Sequence, residues 1–313
     1  MVTPASTAVA AVLVAALAVA GAIGVRSLTQ TRPARAPMSN GPIDVGMTSN
    51  RDLRVLTPDG PGAVAYRCDG TCTSFTWSPD GTRLAYLGGG FSWNDDLHVA
   101  DPADGTDRIV ASGGPLSDPA WSPDGSRIAF VDGSLHFPRL LVVEAVGQDA
   151  SPKVLFSTGG SGDIASLSWS PDGSRISYDD SGQRFVVGSN GGAPSPTGPS
   201  GLRAGTQYPT WSPDGRAVAY FSRTGCEVRS TTPDGHDVLL ADLDTLTDRC
   251  SYGGGLAWSP DGTQLAAYLW QEITPRHYFA AVYLVDADGS GARPLTGWIE
   301  DPQWWGLAWQ PVP

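Results

Sequence analysis

The chain has 313 residues and is acidic, with 32 Asp and Glu against 20 Lys and Arg and a net charge of −12. Arg26, Arg32 and Arg35 all precede the first acid, Asp44, so the remainder carries 17 basic against 32 acidic residues, a net of −15. Such a surface repels phosphate backbones and anionic lipid, which excludes nucleic acid as an expected partner. The 39 Gly and 26 Pro exceed ordinary usage and point to many turns between short strands.

In chain order, residues 8–25 come first, an uninterrupted run of apolar or Gly positions. The run is just long enough to span a bilayer and somewhat long for a signal-peptide core. No Lys or Arg precedes it. Ala18-Val19-Ala20 and Ala34-Arg35-Ala36 have the form of cleavage sites, although Pro37 hinders the second. Residues 1–25 therefore read as a membrane anchor or a signal peptide, with the uncleaved anchor favoured, and residues 26–42 as a flexible linker. The expected location is extracytoplasmic, membrane-anchored or secreted. The positive-inside rule runs against this, because the basic residues follow the apolar run.

From residue 43 onward the pattern is that of β-strands. Val45-Gly46-Met47 reads as a strand of large and small residues in alternation. Leu53 to Leu56 reads as a second strand, Thr57-Pro58-Asp59-Gly60 as a turn, and Ala63 to Tyr66 as a third strand. Cys68 and Cys72 follow. With Cys226 and Cys250 they make an even number, which in an exported chain suggests two disulfides, expected as Cys226–Cys250 and Cys68–Cys72. Four buried free thiols are the alternative. The Cys spacing matches no zinc site.

The repeat dominates the rest. Trp-Ser-Pro-Asp-Gly begins at Trp77, Trp121, Trp169, Trp211 and Trp258, and a degenerate sixth copy begins at Trp309. The intervals of 44, 48, 42, 47 and 51 residues match a four-stranded propeller blade. Each copy reads as a tight turn. Pro presets φ, Asp80, Asp124, Asp172, Asp214 and Asp261 take the next position, and Gly81, Gly125, Gly173, Gly215 and Gly262 take a left-handed position. Before the turns, strands such as Phe75-Thr76-Trp77 and Leu256-Ala257-Trp258 put large residues on one face and small ones on the other. After them, Leu84-Ala85-Tyr86 and Ile128-Ala129-Phe130 do the same. Such sheets pack between two neighbours. Pro194, Pro196 and Pro199 should break the outer strand of the third blade. The last repeat stops after one strand, at Trp309. The three strands at the N-terminal end supply the rest of its blade, so the chain ends close the ring. The expected fold is an all-β, six-bladed propeller of four-stranded antiparallel blades over residues 43–313.

The repeated Trp-Ser-Pro-Asp-Gly, the aliphatic-Ala-aromatic strand after it and Asp286-Ala287-Asp288-Gly289 resemble the TolB-like, WD-repeat-like propeller family. The resemblance covers residues 43–313. It implies the propeller fold and a periplasmic setting, with other envelope proteins as partners. Only about forty residues precede the propeller here, where TolB carries a separate α/β domain.

For chemistry the sequence offers no Gly-x-Ser-x-Gly elbow, phosphate loop or dinucleotide fingerprint. Asp95-Asp96 and Asp179-Asp180 are strand neighbours that point to opposite faces. His98, His136, His236 and His277 fall in different blades, and none lies on an innermost strand. No catalytic residue, metal or cofactor is expected. Aromatic residues gather instead in the connections after the second and fourth strands: Phe91, Trp93, His136, Phe137, Trp270, His277, Tyr278, Trp298 and Trp304. One aromatic rim reads as a binding face for a protein or peptide of the cell envelope, or as packing that caps the channel. The expected function is a non-enzymatic, monomeric binding module, and the alternative is a propeller enzyme acting on a sugar or lactone at the channel mouth.

Overall fold

The structure, a computed structural model, describes residues 39–47, 52–57, 59–68, 74–89, 95–133, 137–146, 151–158, 164–181, 183–196, 207–222, 225–232, 235–247, 252–274, 277–300 and 304–312. The chain divides into units Met1–Pro37 and Met38–Pro313. The first unit, with the apolar run at 8–25, lies outside the described residues. Among the described residues no helix is long and apolar enough to cross a membrane.

The second unit is a six-bladed propeller of antiparallel sheets. Blade 1 is β4 (Phe75–Trp77), β5 (Leu84–Gly88), β6 (Asp96–Asp101) and β7 (Thr106–Ser112). Blade 2 is β8 (Leu116–Trp121), β9 (Arg127–Asp132), β10 (Arg139–Glu144) and β11 (Lys153–Ser157). Blade 3 is β12 (Ile164–Trp169), β13 (Arg175–Asp180), β14 (Gln183–Gly188) and β15 (Ser195–Pro196), an outer strand cut to two residues in its Pro-rich segment. Blade 4 is β16 (Gln207–Trp211), β17 (Val218–Phe221), β18 (Glu227–Thr231) and β19 (Asp237–Asp242). Blade 5 is β20 (Tyr252–Trp258), β21 (Gln264–Thr274), β22 (His277–Asp286) and β23 (Ala292–Pro294), with β24 (Ile299–Glu300) added beside β22.

Blade 6 joins the chain ends in the order β25-β1-β2-β3: β25 (Trp304–Val312), β1 (Ser39–Met47), β2 (Asp52–Thr57) and β3 (Gly60–Arg67). β1 starts at Ser39, four residues before the expected boundary, because Ser39 and Asn40 already pair with Val312 and Pro311.

The repeat turn works as its sequence requires. In each of the five copies the Gly N–H donates to the Ser carbonyl at 2.8–2.9 Å, and the Gly φ lies between +69° and +75°, a conformation glycine adopts without a Cβ clash. The Asp Oδ1 accepts the Ser hydroxyl, at 2.7 Å in Ser122–Asp124, and also the backbone N–H two residues on. At Asp124 these bonds, those from Ser126 and the Arg127 charge outweigh its partial burial and hold the carboxyl down to about 2. Successive turns touch: a Cβ on Gly125 would meet Pro79, on Gly173 Pro123, on Gly215 Pro171 and on Gly262 Pro213. The turns thus form a ring on one face, here termed the turn face.

Six apolar clusters lie in the seams between blades. The repeat tryptophans sit in these seams, and three of their indoles donate to a carbonyl of the preceding blade. Trp121 Nε1 donates to the Thr76 carbonyl of the preceding blade at 3.1 Å, Trp169 Nε1 to Ala120 at 3.0 Å and Trp258 Nε1 to Thr210 at 3.1 Å. An arginine stacks on three of the indoles from the preceding blade: Arg83 on Trp121, Arg127 on Trp169 and Arg175 on Trp211. The functional motif is therefore Trp-Ser-Pro-Asp-Gly-x-Arg in blades 1–3, with Ala217 and Gln264 at that place in blades 4 and 5.

Closure uses different bonds. Asn40 exchanges two hydrogen bonds with Asp261 of the blade 5 turn, at 3.0 and 3.2 Å. On the other side, Gln310 donates to the Gly81 carbonyl at 3.2 Å, and a Cβ on Gly81 would lie 1.9 Å from the Pro311 carbonyl oxygen. Tyr66 of β3 donates to Asp107 of blade 1 at 3.1 Å. Asp107 also accepts the Tyr86 hydroxyl and binds His98 Nδ1, and the His98 ring stacks on Tyr86. Deepest in this seam, Trp77 Nε1 donates to Asp44 Oδ2 at 2.9 Å in place of a carbonyl. Asp44 is fully buried and its Oδ1 has no partner. Burial, only partly offset by the Trp77 bond, pushes its carboxyl up to about 7.

Two predictions follow from these geometries. Because the folded pKa of Asp44 exceeds its unfolded value, its contribution is fully present below about pH 4 and is lost as pH rises toward 7. Asp44→Asn, which keeps an acceptor for Trp77, should match the parent in a thermal melt at pH 4 and exceed it at pH 8, by on the order of 2–4 kcal/mol. Equal melts at pH 8 would contradict the buried-carboxyl reading. Asp124→Ala, which removes several turn hydrogen bonds at once, should destabilise by about 1–3 kcal/mol. Urea unfolding monitored by tryptophan fluorescence measures it, and an unchanged midpoint would show that the turn network contributes nothing.

Candidate binding face

Opposite the turn face lie the connections after the second and fourth strands, here termed the loop face. Phe91, Trp93 and His136 lie outside the described residues. His277 opens β22 opposite Thr274, and Trp304 opens β25 opposite Met47, both at the loop-face end of their strands.

Trp270 is not a loop residue, as its position after the second strand suggested. β21 continues through it to Thr274, and β22 starts as early as His277. The aromatic and β-branched residues Tyr268, Trp270, Thr274, Tyr278 and Phe279 favour the extended ladder, so the pairing runs past the length seen in other blades. The result is a long hairpin at the loop face of blade 5.

That hairpin carries an aromatic cluster. Tyr252, at the start of β20, stacks on Trp270 with ring centroids 5.1 Å apart and planes 28° apart. Tyr278 meets the other side of Trp270 at 6.0 Å and 57°. Register explains the grouping: Tyr252 is directly opposite Trp270, and Trp270 is opposite Ala280, two residues from Tyr278 on the same face. The adjacent Gly253 and Gly254 leave room for rings. A Cβ at Gly253 would lie 2.3 Å from Phe221, and one at Gly254 2.4 Å from Tyr268. Tyr252 is 52% exposed and Tyr278 38%, so the cluster presents ring surface to solvent. Phe137, 48% exposed, precedes β10 on the same face of blade 2. Trp298 behaves differently: its ring is half-buried against the apolar cluster between blades 4 and 5.

Tyr252 was not singled out from sequence. Its signal was the run Tyr252-Gly-Gly-Gly-Leu-Ala-Trp258, in which three glycines beside an aromatic leave space for neighbouring rings.

Around the channel mouth, blades 1–3 contribute carboxylates, and three of them are engaged. Asp95 accepts the Leu116 N–H at 3.3 Å, and burial holds its carboxyl above the usual range. Asp118 accepts the Ser166 N–H of the next inner strand at 2.8 Å. Asp132 forms an ion pair with Arg139. Asp118 and Ser166 adopt φ of +54° and +58°, and Gly306 of β25 one of +75°. All three lie three residues before a repeat Trp, where the inner strands carry bulges. These bulges aim side chains such as Asp118 at the neighbouring blade. Asp179 is buried beside half-buried Asp180. His98 is buried against Asp107 away from this mouth, and His236 is exposed in a turn. Among the described residues no three His, Cys, Asp or Glu side chains are grouped to hold a metal ion.

Cys68 and Cys226 are buried and disulfide-bonded. Cys72 and Cys250 lie outside the described residues.

Comparison with solved structures finds this architecture in TolB from Acinetobacter baumannii, at 18% identity and a TM-score of 0.68, covering 88% of this chain and 67% of that one. A putative TolB from Agrobacterium tumefaciens matches at 19% identity and a TM-score of 0.61, covering 89% and 100%. A periplasmic gluconolactonase from Pseudomonas aeruginosa matches at 18% identity and 0.55, covering 87% and 99%. At these identities the likeness shows the fold. No curated protein matches the sequence. The family model described as the TolB beta propeller domain matches residues 46–307, and the chain belongs to that family.

Proposed function

We propose that this propeller is a non-enzymatic, extracytoplasmic, monomeric binding module whose loop face takes a protein or peptide of the cell envelope. The observation that carries the reading is the stacked, solvent-facing cluster of Tyr252, Trp270 and Tyr278 at the hairpin of blade 5. Aromatic side chains of this kind supply large contact area at low entropic cost and typically dominate interface energies. Asp95, Asp118 and Asp132 are tied to backbone N–H groups or to an arginine, which suits structure rather than proton transfer. The extracytoplasmic setting is supported by the family and by the disulfides at Cys68 and Cys226. Residues 8–25 are proposed as the anchor or signal, with 26–42 as linker.

Tyr252→Ser and Trp270→Ala should each weaken capture of the envelope partner at least about tenfold, as expected for anchor residues, while the melting temperature shifts little. The measurement is a pull-down and a thermal melt on the same variants. Early melting with normal capture would make the cluster a packing device and end the binding-face reading. Turnover of a lactone by the purified propeller would establish the enzymatic alternative instead.

The disulfides are proposed to pair Cys226 with Cys250 and Cys68 with Cys72. The first would close a loop worth roughly 3 kcal/mol in the chain-entropy model. Non-reducing mass spectrometry of exported protein should find both linked peptides. A Cys68–Cys250 peptide would overturn the pairing.

A further inference from the structure

A concavity of about 220 Å³ opens on the turn face between blades 2 and 3, away from the aromatic cluster. Its walls carry Arg127, Glu144, Lys153, Ser189 and Asn190, with the buried Leu155 beneath. Lys153 is the only lysine in the chain.

Three features set these groups apart. First, neither cation forms an ion pair among the described residues, although the Arg127 charge acts through space on Asp124 of the adjoining turn. The described ion pairs occupy Arg54, Arg67, Arg139, Arg216 and Arg229, but neither Arg127 nor Lys153 pairs with an acid. In a chain of net charge −12, two unpaired cations on one concavity run against the prevailing charge. Long-range repulsion from the remaining acids is screened beyond about 8–10 Å at ordinary ionic strength.

Second, Arg127 is held in place. Its guanidinium lies over the Trp169 ring at 4.9 Å, which uses the face of the group and leaves the in-plane N–H donors free. Its counterpart one blade earlier, Arg83, donates to the Gly125 carbonyl, whereas the Arg127 guanidinium has no hydrogen-bond acceptor among the described residues.

Third, the remaining groups define the charge and polarity of an occupant. Lys153 makes one long bond, 3.4 Å to the Asn190 carbonyl, so its ammonium keeps donors to offer. Glu144 lies opposite Arg127 in the β9–β10 register without pairing with it. The lining residues, two cations and one carboxylate, carry a net of one positive charge, which the neighbouring Asp124 reduces further, and this suits a monoanion better than a doubly charged phosphate. The Glu144 carboxylate, the Asn190 amide and the Ser189 hydroxyl supply acceptors for ligand hydroxyls. The volume equals that of roughly seven waters and lies below the range typical of drug-sized sites, so the ligand is small.

From this geometry we propose that the concavity binds a small hydroxylated monocarboxylate, a sugar acid in chemical class, with the carboxylate held between Arg127 and Lys153 and the hydroxyls read by Glu144, Asn190 and Ser189. The site lies on the face opposite the proposed partner surface and does not depend on it.

Sodium gluconate is the probe, titrated into the ¹⁵N-labelled propeller at low salt and followed by backbone amide shifts, with inorganic phosphate and methyl glucoside in parallel. Gluconate should give saturable shifts at Asn190 and neighbouring turn residues, and Lys153→Gln should weaken binding at least about tenfold without altering the melt, since the Lys153 side chain is exposed. Glu144→Gln should narrow the preference for gluconate over phosphate, by removing the repelling carboxylate. The proposal is overturned by any of three results: no saturable shift with gluconate, unchanged gluconate affinity in Lys153→Gln, or phosphate or methyl glucoside binding as tightly as gluconate to the parent.

Discussion

The reach of repeat indoles across the blade seams organises this molecule. A propeller blade has an unpaired inner edge and two apolar faces, and neither is stable alone. The tryptophan before each turn covers apolar surface between blades, and in Trp121, Trp169 and Trp258 it places its N–H donor against the preceding inner strand. One side chain thereby provides packing and register together. The arginines of blades 1–3, each stacked on the indole of the next blade, add a charge-bearing lid, which also positions Arg127 beside the turn-face concavity.

The seams are not equivalent. Between blades 3 and 4 the apolar cluster is Val186, Trp211 and Val218 among the described residues, and Trp211 Nε1 has no acceptor. The Ser168 hydroxyl instead accepts the Trp211 backbone N–H at 3.0 Å, while Ser177 donates to the Ser168 carbonyl. Serine has thus diverted the backbone contact that other blades make through the indole. Between blades 6 and 1 the indole meets a carboxylate, Asp44, rather than a carbonyl. An acceptor that can take up a proton makes the stability of this junction depend on pH near neutrality. The same junction carries the Tyr66–Asp107–Tyr86 bonds and lies next to the bonded Cys68, so the blade built from both chain ends is fastened at several radii.

The two faces differ in chemistry for a related reason. On the turn face each Asp is consumed by its own turn, so the acidity of the repeat is structural and its carboxyls sit low, as at Asp124 and Asp172. On the loop face the connections are free of the repeat and vary from blade to blade. Carboxylates collect on blades 1–3 and rings on blade 5, whose hairpin extends the ladder beyond the others. Function of any kind is expected where the repeat does not dictate the sequence.

Blade number, turn positions and closure through Trp309 and the first strands were all legible in the sequence, because the repeat spaces local signals. A turn needs Pro and Gly two places apart, a strand needs alternation, and neither depends on distant residues. What spacing could not convey was contact across the ring. Asp44 stood out in the sequence only as the first acid of the chain, and only its burial in the seam beside Trp77, 33 positions away, makes it a titrating group near neutral pH. Trp270 read as a loop aromatic, and only the register with Tyr252 and the neighbouring glycines turned it into part of a stacked cluster. The placement of Arg127 and Lys153 on one concavity draws on two strands of one blade and a turn of the next, a juxtaposition set by how sheets twist and pack rather than by any local pattern.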